Sequence, residues 1–301
     1  MPGVARSKIL DPSRYTYRVE WNLRTFWWLL RRSIISTFDD GCIGFAKGAA
    51  YSALLAFFPV LTSAAAIMVQ TRTQFVATTL QGFLSQVVPP GTEELVVRQF
   101  QVMGRRPAGI LIGAGLVSLW AASGVFKSLI EGFQVAYRVP RDRGIVHQSA
   151  LAMGLVLLSA VPLLFASLLL LFGGQVEDAV LRWLSGDPYL QPLSGLWQFV
   201  ARAARYVLAA ATTVTVTSTL YYFGPNRRQR WMAVWRGALL SSVLWFFVTL
   251  GFGWYVRNLA GYNVMYGSIG TGIALLVWMY LIALSALVGC EFNAERERAM
   301  A

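Results

Sequence analysis

The sequence predicts an all-α polytopic membrane protein, a single bundle of six transmembrane helices. Three observations carry this prediction. Six apolar stretches, 48–69, 108–126, 149–173, 203–223, 233–256 and 268–289, have no carboxylate in their interiors. Each reaches the length of about 20 residues that a helix needs to cross the hydrocarbon at 1.5 Å per residue. The composition agrees: 56% hydrophobic residues, 13% charged residues and a mean hydropathy of +0.54 leave too little polar surface for a soluble domain of 301 residues. The apolar runs are also continuous rather than alternating. In a medium where every backbone group must be satisfied internally, that selects helices over a barrel.

Residues 1–20 are polar and basic. Leu23, Trp27, Leu30, Ile34 and Phe38 then recur at three to four residues, with Arg24 and Arg31 on another face. This predicts an amphipathic helix lying in the membrane surface and turning into the bilayer near Gly41 and Gly44. The same region lacks the apolar core and cleavage site of a signal peptide. The first span contains Pro59 and the third Pro162; each removes a helical hydrogen bond and marks a candidate hinge or a plain packing bend. The outer loop 70–107 predicts two short amphipathic helices broken at Pro89-Pro90. Val180, Trp183 and Leu184 predict a similar cap in the loop 174–202. Spans two and six carry small residues at helix-neighbour spacing, Gly109/Gly113 and Ser268/Gly272, which predicts close interior packing. The chain reads as one membrane domain over 1–301: a tail and interfacial helix to 44, six spans over 48–290, and a tail over 291–301.

The net charge of +12 is unevenly placed. Seventeen basic residues fall in the amino-terminal segment, the loops after spans two and four, and the carboxy-terminal tail, against seven in the other three loops. The positive-inside rule therefore places both termini in the cytoplasm. Anionic lipid at that face is the expected partner, and no nucleic acid is expected. Arg227, Arg228 and Arg230 form a candidate cytoplasmic basic surface, and protein partners and oligomeric state stay open. Cys42 and Cys290 read as small apolar residues at the cytoplasmic boundary, where a structural disulfide is not expected.

Span four is rich in hydroxyls. Thr212, Thr215, Thr219 and Tyr222 share one face, and they either line a polar seam or bond their own helix four residues back. Lys127 and Glu131, four apart, are a candidate intramembrane charge pair, as an anchor or in function. His147 is the sole histidine. With no paired carboxylates in a plausible cleft, no phosphate loop and no Cys/His cluster, neither enzyme activity nor a metal or cofactor is expected. The lack of a mid-bilayer carboxylate also weakens an ion-coupled mechanism.

Several stretches resemble the YihY/BrkB family of bacterial inner-membrane proteins. They are Ala49-Ala50-Tyr51-Ser52 running to Phe57-Phe58-Pro59, Trp120-Ala121-Ala122-Ser123-Gly124, Phe223-Gly224-Pro225-Asn226, Arg236-Gly237-Ala238, Tyr266-Gly267-Ser268 and Gly289-Cys290-Glu291-Phe292-Asn293-Ala294-Glu295. The resemblance covers about residues 35–298. Cys290 departs from it, since the family more often has alanine there. The resemblance implies six helices in one domain of the bacterial inner membrane, a ribonuclease label widely regarded as misassigned, and a virulence label tied to serum resistance. It supplies no catalytic residues; Gly267, Ser268, Glu291 and Asn293 are positions of interest. The expected function is permease-like or lipid-handling, with a non-transporting envelope scaffold as the alternative and a membrane-associated ribonuclease last.

Overall fold

A computed structural model describes residues 22–71, 108–140, 143–185, 195–258 and 267–300. Seven helices occupy the described residues: α1 (Leu23–Asp39), α2 (Cys42–Thr71), α3 (Ala108–Ala136), α4 (Ile145–Ser185), α5 (Gly195–Phe223), α6 (Trp231–Asn258) and α7 (Gly267–Met300). The last six are long and apolar enough to cross a membrane. The all-α, six-span architecture is therefore as the sequence predicts.

The spans form a closed ring in chain order. Each helix from α2 to α6 packs on the next, and α7 closes back onto α2. The α2–α3 interface is the most extensive. It is an antiparallel zipper in which Phe45 meets Gly132, Gly48 meets Ser128, Ser52 meets Gly124, and the hydroxyls of Ser63 and Ser118 lie 2.9 Å apart. A Cβ at Gly124 would stand 3.1 Å from Ser52 Oγ, so glycine sets the helix spacing there. Gly113 and Gly272, by contrast, have nothing within 4 Å of an added Cβ. The small residues of span two that make close contact are those nearer its other end.

α6 and α7 cross at a second close approach. A Cβ on Gly289 would lie 2.5 Å from the Gly237 carbonyl oxygen, and one on Gly237 would strike the Gly289 carbonyl. Outward faces carry large apolar residues such as Val161 (70% exposed) and Phe247 (63% exposed), as lipid contact requires.

Polar partners extend several helices beyond the predicted spans. α3 continues past 126 to Ala136, and α7 continues past 289 to Met300 through a segment whose residues 290–296 are all buried. Residues 174–185 continue α4, and 195–202 belong to α5, where the sequence predicted a loop. At 41 residues α4 is about 60 Å long, twice the hydrocarbon thickness, so it projects beyond the membrane. The expected cap helices in 72–107 lie outside the described residues. Pro59 and Pro162 both sit inside continuous helices.

α1 docks on the end of α7. Its buried face is Leu29, Ser33 and Thr37, and Phe26 packs on Phe292 with ring centroids 5.8 Å apart. Leu23, Trp27, Ile34 and Phe38 are left exposed on one side, beside Arg24 and Arg31. Gly41, at φ 69°, makes the turn into α2 in a conformation that favours glycine. α3 ends in a Schellman turn, with Val139 N donating to Gln134 O at 2.9 Å and Arg138 N to Val135 O at 2.8 Å. Arg138 itself takes the left-handed position, at φ 54°.

Candidate functional site

A partly open cavity of about 340 Å³ lies within the ring, and all six spans contribute to it. α2 supplies Ala49 and Ala53; α3 supplies Phe126, Leu129 and Phe133; α4 supplies Ser159 and Leu163. α5 adds Thr213, Thr217 and Tyr221, α6 adds Ser241 and Trp245, and α7 adds Trp278, Ile282 and Ala286. No lining residue is charged. On α5 the lining residues lie close to its end at Phe223, on α7 just before the Gly289 crossing, and on α2 close to its start. The cavity therefore occupies the half of the bundle next to the arginine-rich segments.

That end of the bundle is sealed. Tyr221 and Phe133, both fully buried, meet edge to face at 5.1 Å, and the Tyr221 hydroxyl donates to the Ala286 carbonyl at 2.5 Å. Below them Asn293 clamps α7 to α6. Its Oδ1 accepts from Gly237 N at 2.9 Å, and its Nδ2 donates to Val234 O at 2.8 Å. Arg296 Nη2 adds a bond to Ala233 O at 2.8 Å.

Glu295 and Glu297 pair with arginines, two of them from other segments. Glu295 accepts from Ser36 Oγ at 2.9 Å, pairs with Arg32 at 2.5 Å and also pairs with Arg298, which donates on to the Ala136 carbonyl. Arg227 pairs with Glu297 at 2.5 Å and lies over the Tyr137 ring at 4.4 Å. Burial foremost, then the neighbouring Cys290, raises the pKa of the Tyr137 phenol, and Arg227 opposes them. Arg143 reaches from the start of α4 to Gly224 O at 2.9 Å and Asn226 Oδ1 at 3.2 Å. One end thus gathers all the segments that the positive-inside count grouped together.

The sequence-predicted residues fall into three groups. Glu291 and Asn293 are buried at the centre of the seal: Glu291 is wholly inaccessible, with Cys42 Sγ 3.7 Å from its Oε1 and Arg298 3.9 Å from its Oε2. Cys42 and Cys290 are both free and buried. Gly267 opens α7, and the side chain of Ser268 lies outside the described residues. Arg227 is engaged, while Arg228 and Arg230 are exposed.

In the other two groups one ion pair is not made, and the threonine stripe takes the back-bonded alternative that the sequence left open. The Lys127–Glu131 ion pair does not form, because Glu131 Oε1 instead accepts from Gln148 Nε2 at 3.1 Å across the α3–α4 seam. The threonine face that meets the cavity is Thr213 and Thr217, not Thr212, Thr215 and Thr219. The hydroxyls of Thr212, Thr215 and Thr219 bond the carbonyls four residues back at 2.8–2.9 Å, and Thr215 is exposed on the outside of the ring. Tyr222 packs on Trp231, with ring centroids 5.5 Å apart. Pro162 lies beside the cavity-lining Ser159 and Leu163.

Ser159, Trp245 and Trp278 were not legible as site residues. Nothing in their local sequence marks them, and only the convergence of separate helices does. Gly237 and Gly289 did carry a signal, standing in the quoted motifs as glycines inside spans. Among the described residues no cluster of three or more His, Cys, Asp and Glu side chains could hold a metal ion.

The family described as Virulence factor BrkB matches residues 36–301. The chain belongs to the Virulence factor BrkB family. Its match starts within α1 and takes in the whole ring, the cavity and the seal. A Bacillus subtilis relative named putative ribonuclease-like protein YfkH is 28% identical over 81% of this chain and 86% of its own length. UPF0761 membrane proteins are also similar: one from Alkalilimnicola ehrlichii is 28% identical over 84% of this chain and 55% of its own, and one from Chromobacterium violaceum is 29% identical over 70% and 47%. The chain spans about half the length of those two. No solved structure matches it. This BrkB-family chain is a multi-pass membrane protein. At its arginine-rich end Glu291 and Glu295 are buried, and Glu295 and Glu297 pair with arginines.

Proposed function

We propose that this protein is a permease-like, lipid-handling component of the bacterial inner membrane, with both termini cytoplasmic. The observation that carries the reading is a cavity walled by all six spans and closed at one end by the Tyr221–Phe133 and Asn293 contacts. A substrate that partitions into the bilayer would enter through the wall of the ring. α4 is the natural gate: it packs chiefly on α3 and α5, and Pro162 interrupts its hydrogen bonding at the level of the cavity. The gathering of the basic segments at one end supports a cytoplasmic assignment for that end. The exposed apolar side of α1, with Arg24 and Arg31, supports contact with anionic lipid of the inner leaflet.

The test is reconstitution into vesicles containing fluorescent lipids, one an uncharged glycolipid and one phosphatidylglycerol, with leaflet exchange read by dithionite quenching. Protein-dependent exchange of either lipid, slowed by Pro162→Ala, is expected. Exchange no faster than in protein-free vesicles, from protein that melts cooperatively, refutes the transport reading. Alkaline phosphatase fused after Ala301 should be inactive in cells.

A second reading, a scaffold for envelope assembly, is favoured by the exposure of Arg228 and Arg230. It predicts one co-purifying partner that is lost on Arg228→Ser/Arg230→Ser while the fold is kept.

A further inference from the structure

We infer that the cavity binds a small uncharged molecule, an apolar body whose hydrogen-bond acceptor oxygens engage the Ser159 hydroxyl and the Trp245 indole N–H. The inference rests on reading the cavity as a substrate chamber and names what the chamber holds. Its volume of about 340 Å³ is near the lower end of the roughly 300–1,000 Å³ of small-molecule sites. Its walls carry no charged side chain, so an anionic or cationic group placed inside would lose its hydration with nothing in return.

The polar specification comes from two atoms that break the pattern of their surroundings. Most serine and threonine hydroxyls described in these spans bond the carbonyl four residues back, including Thr213, Thr217 and Ser242 on the cavity wall itself. Ser159, on the same wall and only 4% exposed, does not: its Oγ is buried without a partner. Trp278 gives its N–H to Thr249 Oγ1 at 3.4 Å, yet Trp245 Nε1 is buried and unpartnered. Buried donors are ordinarily satisfied, and an indole N–H can be satisfied only by an acceptor. Water is the weaker occupant, because an ordered water needs two to four polar partners and this wall is predominantly apolar.

The test is photolabelling of the full chain in nanodiscs with a diazirine-bearing octanol, with adducts mapped by mass spectrometry. Saturable adducts are expected on the cavity-lining stretches of α3, α5 and α7, competed by 1-octanol and at least fivefold less by octyl phosphate. The paired changes Ser159→Ala and Trp245→Phe should raise the half-saturating concentration at least fivefold in protein that still melts cooperatively, and restoring a hydroxyl with Ser159→Thr should recover part of the loss. Adducts confined to outward residues such as Val161 and Phe247 overturn the site, as does non-saturable labelling from a cavity filled only with water. Equal competition by octyl phosphate overturns the uncharged class, and that arm uses the unmodified protein, so it stands even if the paired variant fails to fold. Saturable cavity labelling without leaflet exchange would sink the transport reading alone. Leaflet exchange with labelling only of outward residues would sink the ligand assignment alone.

Discussion

Replacing Gly289 with alanine is the sharpest probe of the seal. The new methyl would stand 2.5 Å from the Gly237 carbonyl oxygen, 2.7 Å from Ser241 Cβ and 2.7 Å from the Tyr221 hydroxyl. Ordinary carbon contacts begin near about 3.5 Å, so α6 and α7 have to part by roughly 1 Å. Overpacking of this kind costs about 1–3 kcal/mol. Displacing Tyr221 from the Ala286 carbonyl removes a further ~1 kcal/mol. Gly113→Ala is the matched control: it makes the same chemical change, on a helix, with nothing within 4 Å. Both variants gain up to about 1 kcal/mol of helix propensity, which cancels in the comparison. Reversible unfolding in mixed micelles should therefore find Gly289→Ala less stable than Gly113→Ala by roughly 2–4 kcal/mol. Gly237→Ala should resemble Gly289→Ala, and the double variant should cost less than the sum, because the first methyl already opens the crossing. If Gly289→Ala proved as stable as Gly113→Ala, the close crossing would not exist.

Asn293→Asp keeps an acceptor for Gly237 N but sets a carboxylate against Val234 O; it should destabilise the same unfolding transition at least as much as Asn293→Ala, by about 2 kcal/mol. Glu295→Gln should cost about 2 kcal/mol, below the ~3–5 kcal/mol of a fully buried pair because Arg32 and Arg298 both reach solvent. Glu291→Gln, which neutralises a buried carboxylate whose Oε2 has no hydrogen bond, should be neutral or stabilising in the same assay. Arg138→Gly should raise stability by about 1 kcal/mol, since the left-handed turn favours glycine and only an exposed contact with Asp40 at 4.0 Å is lost. Thr215→Val and Thr219→Val should change neither stability nor leaflet exchange, because both hydroxyls are already bonded within α5.

The six spans were legible because length and continuous hydrophobicity leave one solution in a lipid solvent. Their ends were not. Beyond 126 on α3 and 289 on α7 the residues turn polar, and what keeps them helical is partners far off in sequence: Ile130 against Ala152 and Leu155, Glu295 against Ser36 and Arg32. The hydroxyl stripe left two readings open for a related reason. Threonines crowd α5 so densely that several faces fit the same spacing, and only the positions of α4 and α6 decide which one faces inward. Glu291 and Asn293 were marked only by the motif they stand in, and the role of Asn293 as a clamp on Gly237 and Val234 required the neighbouring helix. The cavity had no signature of its own. It exists where residues from six separated segments converge.

The circular order of the helices has a consequence for biogenesis. α1 is made first, yet the side chains that receive its Ser36 come from a helix 259 residues downstream. At translation rates of about 5–20 residues per second, that first helix waits roughly 10–50 s for its dock. Until α7 arrives the inserted segments form an open arc, and a nascent chain stalled before 267 would leave its inner faces turned to lipid. α7 is thus the keystone, and the ring closes only when it meets α1 and α2.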